Sequence, residues 1–235
     1  MPELAEVEYY RKQWQPAISQ NITAVCLDAS KRVFRGLDPE ALRRGLLGET
    51  FTASATHGKQ MCFRFGTKHW LGVHLGMTGK THILALSERP QKHDHLVLQM
   101  SSGVSLAFRD PRMFGRILYS YTNNKPSWWA MLPPEILSTD FTLEYLSRFL
   151  DRRSRSPIKA VLLMQQTFPG LGNWMADEIL WRSRIHPKIM AGNLSTYKRK
   201  KLYRSIQEVS KGFGHKAGRP AQHHIRAASA EGPEV

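Results

Sequence analysis

Pro2-Glu3-Leu4-Ala5-Glu6 opens the chain with a potential secondary amine and two carboxylates inside one helical turn. Once Met1 is removed, Pro2 carries a free α-amino group, whose ordinary pKa of about 7.7–8.0 lies well below the roughly 10.4 of a lysine. A useful fraction is therefore unprotonated at neutral pH, and amines of this kind form Schiff bases with sugar carbonyls. Helix-terminus physics explains the same residues differently. Proline is common at a first helical position and glutamate is favoured in a first turn. Taken alone, these residues read as a capped surface helix.

Other stretches carry chemistry of their own. Lys59 follows His57-Gly58 at the mouth of a strand, where most lysines are merely solvated. His74-Leu75-Gly76-Met77-Thr78-Gly79-Lys80 places Met77 in a glycine-flanked loop, although packing is the commoner role of methionine. Arg109-Asp110-Pro111-Arg112-Met113-Phe114-Gly115 sets a guanidinium near an aromatic ring. Such a pair can stack on bases or enter a gap in a duplex; the alternative is a turn with a solvated arginine and a core phenylalanine. Gln165 to Leu180 reads as a helix, a glycine-containing turn through Gly170-Leu171-Gly172, and a helix opening at Asn173. It is either a simple helical hairpin or a phosphate site made of exposed helix-start N–H groups. His93-Asp94-His95 puts two histidines on one side of a strand, but no third ligand is near, so no metal is expected.

These groups need elements to hold them. A first helix is predicted from Pro2 to Trp14, with Leu4, Val7, Tyr10 and Trp14 along one side and Pro16 ending it. Strands are predicted at 60–65, 70–75, 95–100 and 104–108, separated by turn signals, which suggests an antiparallel sandwich. Beyond the linker-like Asn123–Ser127 the periodicity turns helical: Phe141 to Leu150, then a helix capped by Ser156 with Pro157 first and running through Thr167, then 173–184 and 195–209. The expected fold is α+β: an N-terminal antiparallel β-sandwich with an N-terminal helix over 1–125, and an all-helical domain over 126–211. A basic tail over 212–235 is expected to be flexible until it meets a partner.

The chain has 235 residues, 41% of them hydrophobic, enough for one large or two modest cores. No apolar run spans a bilayer and no secretory pattern is visible. Cys26 and Cys62 read as reduced core residues and cannot make a four-cysteine zinc site. Thirty-four Lys and Arg against 19 Asp and Glu give a net charge of +15, which favours a polyanionic partner, most often nucleic acid.

These stretches, collinear over roughly residues 1–210, resemble the formamidopyrimidine-DNA glycosylase / endonuclease VIII family of base-excision repair enzymes. The resemblance implies a DNA glycosylase with AP lyase activity, acting on oxidised bases, purines rather than pyrimidines. Its partner is double-stranded DNA holding a damaged base or abasic site. It needs neither cofactor nor membrane, and works as a monomer, cytoplasmic and nucleoid-associated. It implies Pro2 as nucleophile, Glu3 as general acid, Glu6 as its support and Lys59 as a contact beside the lesion. Met77, Arg112 and Phe114 fill the void left by the extruded base, and His74, Lys159 and Asn173 contact phosphates. Ala5 stands where proline is usual, and Met113 where a second arginine often sits. Family members commonly end in a four-cysteine zinc finger, but no cysteine follows Cys62. The basic tail, through Lys216, Arg219 or Arg226, is expected either to replace that finger or to leave activity reduced. The competing expectation is a damaged-DNA or abasic-site binder that has lost turnover.

Overall fold

The structure, a computed structural model, describes residues 2–214. Eight strands form two four-stranded antiparallel sheets. They are β1 (Ile22–Leu27), β2 (Phe51–His57), β3 (Gln60–Phe65), β4 (His69–His74), β5 (Lys80–Leu84), β6 (Asp94–Met100), β7 (Ser105–Arg109) and β8 (Arg116–Tyr121). One sheet runs β1-β6-β7-β5 and the other β2-β3-β4-β8. Alternate side chains point inward from each strand. Met61, Phe63 and Phe65 of β3 thus meet Leu96, Leu98, Leu106 and Phe108 of the facing sheet in one buried core. The expected sandwich is present.

The seven helices among the described residues are α1 (Leu4–Trp14), α2 (Pro39–Leu46), α3 (Ser127–Ala130), α4 (Leu143–Arg152), α5 (Ile158–Leu162), α6 (Asn173–Ser183) and α7 (Thr196–Gly214). The last four build a second core around Phe141, Leu150, Phe168, Ile179, Leu202 and Ile206. α1 ties the two cores together. Val7 and Trp14 are buried against the sandwich, whereas Leu4 packs on the helical core. Trp14 Nε1 donates to the His82 carbonyl, and Arg11 reaches both Glu8 and Ser54. The helix that follows Pro2 is therefore clamped on the sandwich while its first turn touches the helical domain.

Three expectations are corrected. The helix predicted through Thr167 stops at Leu162, with Pro157 rather than Ser156 as its cap. Beyond it the chain makes tight turns, Met164 N–H to the Val161 carbonyl and Thr167 N–H to the Met164 carbonyl, both at 3.1 Å. The Gln165 side chain satisfies backbone groups that a helix would have used. α7 continues past Val209 to Gly214. Cys26 is exposed on edge strand β1, while Cys62 is buried and its thiol is pushed up to about 12 by burial. No described helix is long and apolar enough to cross a membrane. Lys216, Arg219 and Arg226 lie outside the described residues.

Candidate active site

Four segments converge where the sandwich meets the helical domain. The first is the start of α1. Glu3 caps that helix, its N–H donating to Glu6 Oε2 at 3.1 Å, so the two carboxylates of the opening motif are locked in one turn. Pro2, half-buried, immediately precedes this cap. Glu3 itself is only 7% exposed. Its carboxylate lies at the N-terminus of α6 and accepts the Met175 N–H. That approach depends on Gly172, because a Cβ there would run into the Glu3 carboxylate. Burial pushes the Glu3 carboxyl up to about 7; Lys59 pulls it down, Glu6 pushes it further up, and the Met175 N–H opposes both rises. Glu3 Oε2 is buried without a hydrogen-bond partner among the described residues. A carboxyl group in such a place holds a proton near neutrality.

Lys59 comes from the tight turn between β2 and β3. Gly58, at φ +58°, makes that turn and lies against the Pro169–Gly170 backbone. The lysine is 7% exposed, and its Nζ donates to the Leu171 carbonyl at 2.8 Å. Burial lowers its pKa, and Glu3 partly restores it. Gln165 Nε2 donates to the same carbonyl at 2.8 Å while its Oε1 accepts the Gly170 N–H. The turn that delivers Gly172 to Glu3 is thus braced from within by Gln165 and from the sandwich by Lys59.

Two loops form the neighbouring rim, β4–β5 carrying Met77 and β7–β8 carrying Arg112 and Phe114. Asp110, fully buried, fastens them: it accepts from Thr78 Oγ1 at 2.7 Å and from the Gly115 N–H at 2.6 Å. Gly76, at φ +63°, lets the first loop press against the Phe114–Gly115 backbone. The consequence is an apolar tip in solvent, with Met77 47% and Phe114 42% exposed. The Arg112 guanidinium lies 4.8 Å over the Phe114 ring. Met113, half-buried and in the left-handed region at φ +54°, packs against the sandwich core.

Residues 1–117 match the formamidopyrimidine-DNA glycosylase N-terminal domain, and residues 132–213 the formamidopyrimidine-DNA glycosylase H2TH domain. A formamidopyrimidine-DNA glycosylase of Lactobacillus delbrueckii subsp. bulgaricus is 36% identical over 212 residues, 89% of this chain and 76% of that protein. The chain belongs to the formamidopyrimidine-DNA glycosylase family. One from Legionella pneumophila is also 36% identical, over 213 residues and the same shares. Among solved structures, Lactococcus lactis Fpg in complex with abasic-site DNA superposes with a TM-score of 0.81 at 30% identity, covering 90% of this chain and 79% of that one. MutM bound to DNA with carbocyclic 8-oxo-G gives 0.81 at 30%, covering 91% and 81%. The protein is a base-excision repair DNA glycosylase, and AP lyase activity is part of what this family does.

His74, Asn173 and Lys159 are the remaining positions that the resemblance singled out. His74 ends β4. Its Nδ1 accepts the Gly76 N–H at 3.1 Å, and burial, Lys59 and Arg35 lower its pKa, which leaves a neutral ring with Nε2–H as a donor. Asn173 is the first residue of α6 and is exposed. Lys159 on α5 is engaged with Asp177, one turn along α6, at 2.7 Å. A phosphate reaching Lys159 has to share it with that carboxylate. In the His93-Asp94-His95 stretch, His95 Nε2 holds the Asp110 carbonyl at 2.9 Å, and Asp94 takes the Arg109 guanidinium through both oxygens. Zinc-finger chemistry has no ligands among the described residues, where no group of three His, Cys, Asp or Glu comes together. Sequence reasoning missed Asp110 and Gln165, which touch only backbone and neighbouring loops. Their signal was present in the Asp110-Pro111-Arg112 and Gln165-Gln166 stretches but could not be told from turn chemistry.

Proposed function

We propose that Pro2, freed of Met1, attacks C1′ of a damaged nucleotide extruded from duplex DNA, and that oxidised purines are the preferred lesions. A base inside a duplex is out of reach, so it is flipped out at a cost of a few kcal/mol. Met77, Arg112 and Phe114 enter the gap and keep the remaining stack apart. The amine displaces the base, which leaves carrying the amine's proton, and opening of the sugar ring at the C1′–O4′ bond then gives an iminium, which acidifies the C2′ proton. Loss of that proton with cleavage of the C3′–O bond is the β-elimination of the lyase. Glu3 supplies the proton that opens the deoxyribose ring, and Glu6 keeps Glu3 at the helix start. Lys59 contacts the substrate beside the lesion, with His74, Asn173 and Lys159 on the flanking phosphates. The observation that carries the reading is the buried Glu3 carboxyl, placed one residue after Pro2 and held near pH 7 at the start of α6. Such a protein works on nucleoid DNA in the cytoplasm.

The test compares duplexes holding 8-oxoguanine or thymine glycol at one position, with the parent protein and Arg112→Ala. The parent should excise the purine lesion at least about tenfold faster, and the variant should lose about tenfold in affinity for abasic-site duplex against twofold or less for intact duplex, a difference of about 1 kcal/mol. Faster excision of thymine glycol would overturn the lesion preference. Equal losses on both duplexes would reduce Arg112 to a phosphate contact.

A further inference from the structure

At the end of α6 remote from Glu3, a cleft of about 420 Å³ opens between α6 and α7. Its walls carry Trp181, Arg182, Arg184, Lys201, Arg204 and Glu208. Trp181 is 72% exposed, an unusual state for an indole. Arg182 is paired with Glu178 at 2.6 Å. Arg184, Lys201 and Arg204 enter no ion pair among the described residues, so three cations face one carboxylate. Arg184 also occupies the left-handed C-cap of α6, at φ +56°, where glycine is the usual occupant. The cleft is well separated from the lesion mouth, because Trp181 lies about 12 Å along the helix axis from Asn173. Trp174 and Trp181 are seven residues apart and so share one side of α6. Trp174, beside Asn173, is itself 39% exposed, and the positions between the two indoles on that side are Asp177 and Glu178, held by Lys159 and Arg182.

We propose that this cleft is a second nucleic-acid site, taking a nucleotide of single-stranded DNA with its base on Trp181 and its phosphates on Arg184, Lys201 and Arg204. Each part of the cleft answers to a part of that ligand. Exposed aromatic faces beside a cationic surface are the means by which proteins hold unpaired strands without reading their sequence. Intact duplex hides its base faces and cannot use the indole. An acidic peptide would satisfy the cations but leave the indole face without a stacking partner. A volume of this size suits a single nucleotide unit. Unpaired DNA beside a damaged base would thus be gripped by the same molecule that repairs it. The proposal is independent of the chemistry of Pro2, since its readout is binding alone.

The experiment measures fluorescence anisotropy of labelled octathymidylate with the protein already saturated by a blunt, unlabelled duplex holding a tetrahydrofuran abasic analogue. The labelled strand should bind to the duplex-loaded protein. Trp181→Ala should weaken that binding at least about fivefold, Trp181→Phe should restore most of it, and Lys201→Glu with Arg204→Glu should flatten its salt dependence. Affinity for the blunt abasic duplex should stay unchanged in Trp181→Ala, and a matching melting temperature shows that the variant is folded. Equal binding by parent and Trp181→Ala, or exclusion of the strand by the duplex, would overturn the proposal. Displacement by octa-aspartate as readily as by unlabelled octathymidylate would assign the cleft to an acidic protein partner instead. Displacement by thymidine monophosphate at equal concentration would assign it to free nucleotides.

Discussion

Glu3→Gln is expected to lower base excision by about 100-fold or more, the range in which positioned acids and bases contribute, while making the folded protein more stable at pH 8. Both effects come from one buried group. In the unfolded chain the carboxyl loses its proton near 4.5, and in the folded protein near 7. Between those values the folded state holds the extra proton. Stability is therefore full below about 4.5, falls as pH rises towards about 7, and is flat above. The loss amounts to at most about 3 kcal/mol, a net figure that already contains the attraction of Lys59. Glutamine has the same shape, can still accept the Met175 N–H, and carries no charge to desolvate. Urea melts at pH 5 and pH 8 should show the variant gaining on the parent at the higher pH only. A variant less stable at pH 8, or one that excises at the parent rate, would show that Glu3 is not the buried proton carrier.

Gly172→Ala is expected to lose at least about tenfold in excision without loss of fold. The backbone at Gly172 is extended, with φ −121°, so alanine brings no conformational strain. Its methyl group instead occupies the place of the Glu3 carboxylate. Glu3 is the more mobile partner and must turn away from α6, giving up the Met175 N–H. Binding of intact duplex, which uses the outer surface, should change less than about twofold. The effects of Gly172→Ala and Glu3→Gln should not add, because both remove the same carboxylate from the same spot. Single-turnover excision by the double variant measures this. Additive losses would mean that Gly172 acts through something other than Glu3.

What the sequence disclosed follows from where burial is strongest. The four strands it predicted are β3, β4, β6 and β7, the inner strands of the two sheets. The four it missed, β1, β2, β5 and β8, are the edges. β2 buries only Phe51 and otherwise offers alanine, serine, threonine and histidine, so it carries no alternating signal. β1 loses its alternation at a bulge between Ile22 and Ala24. The helix predicted through Thr167 ended early for a different reason. Gln165 competes for backbone groups across a turn, and that contact joins residues whose partnership only the folded turn defines.

The candidate site was legible in part. Pro2, Glu3 and Glu6 lie within a few residues of each other, so their chemistry could be read locally. Lys59, Met77, Arg112, Phe114 and Asn173 were each ambiguous, and their collinear resemblance to a family gave them a common meaning. No pattern along the chain disclosed that Lys59 and Glu3 both answer to the turn before α6. That pairing spans 112 residues between Lys59 and Leu171 and exists only through the packing of two domains. The elevated carboxyl of Glu3 was hidden for the same reason, since its burial is supplied by Gly172 and Met175 from the far half of the chain.

The most direct test of the account is borohydride reduction of the Met1-processed protein with an abasic-site duplex, followed by peptide mass mapping. The expected result is a covalent protein–DNA adduct whose added mass resides on the N-terminal peptide at Pro2, and which disappears when Met1 is retained. An adduct on Lys59 or another lysine, or tight lesion binding without any adduct, would contradict it.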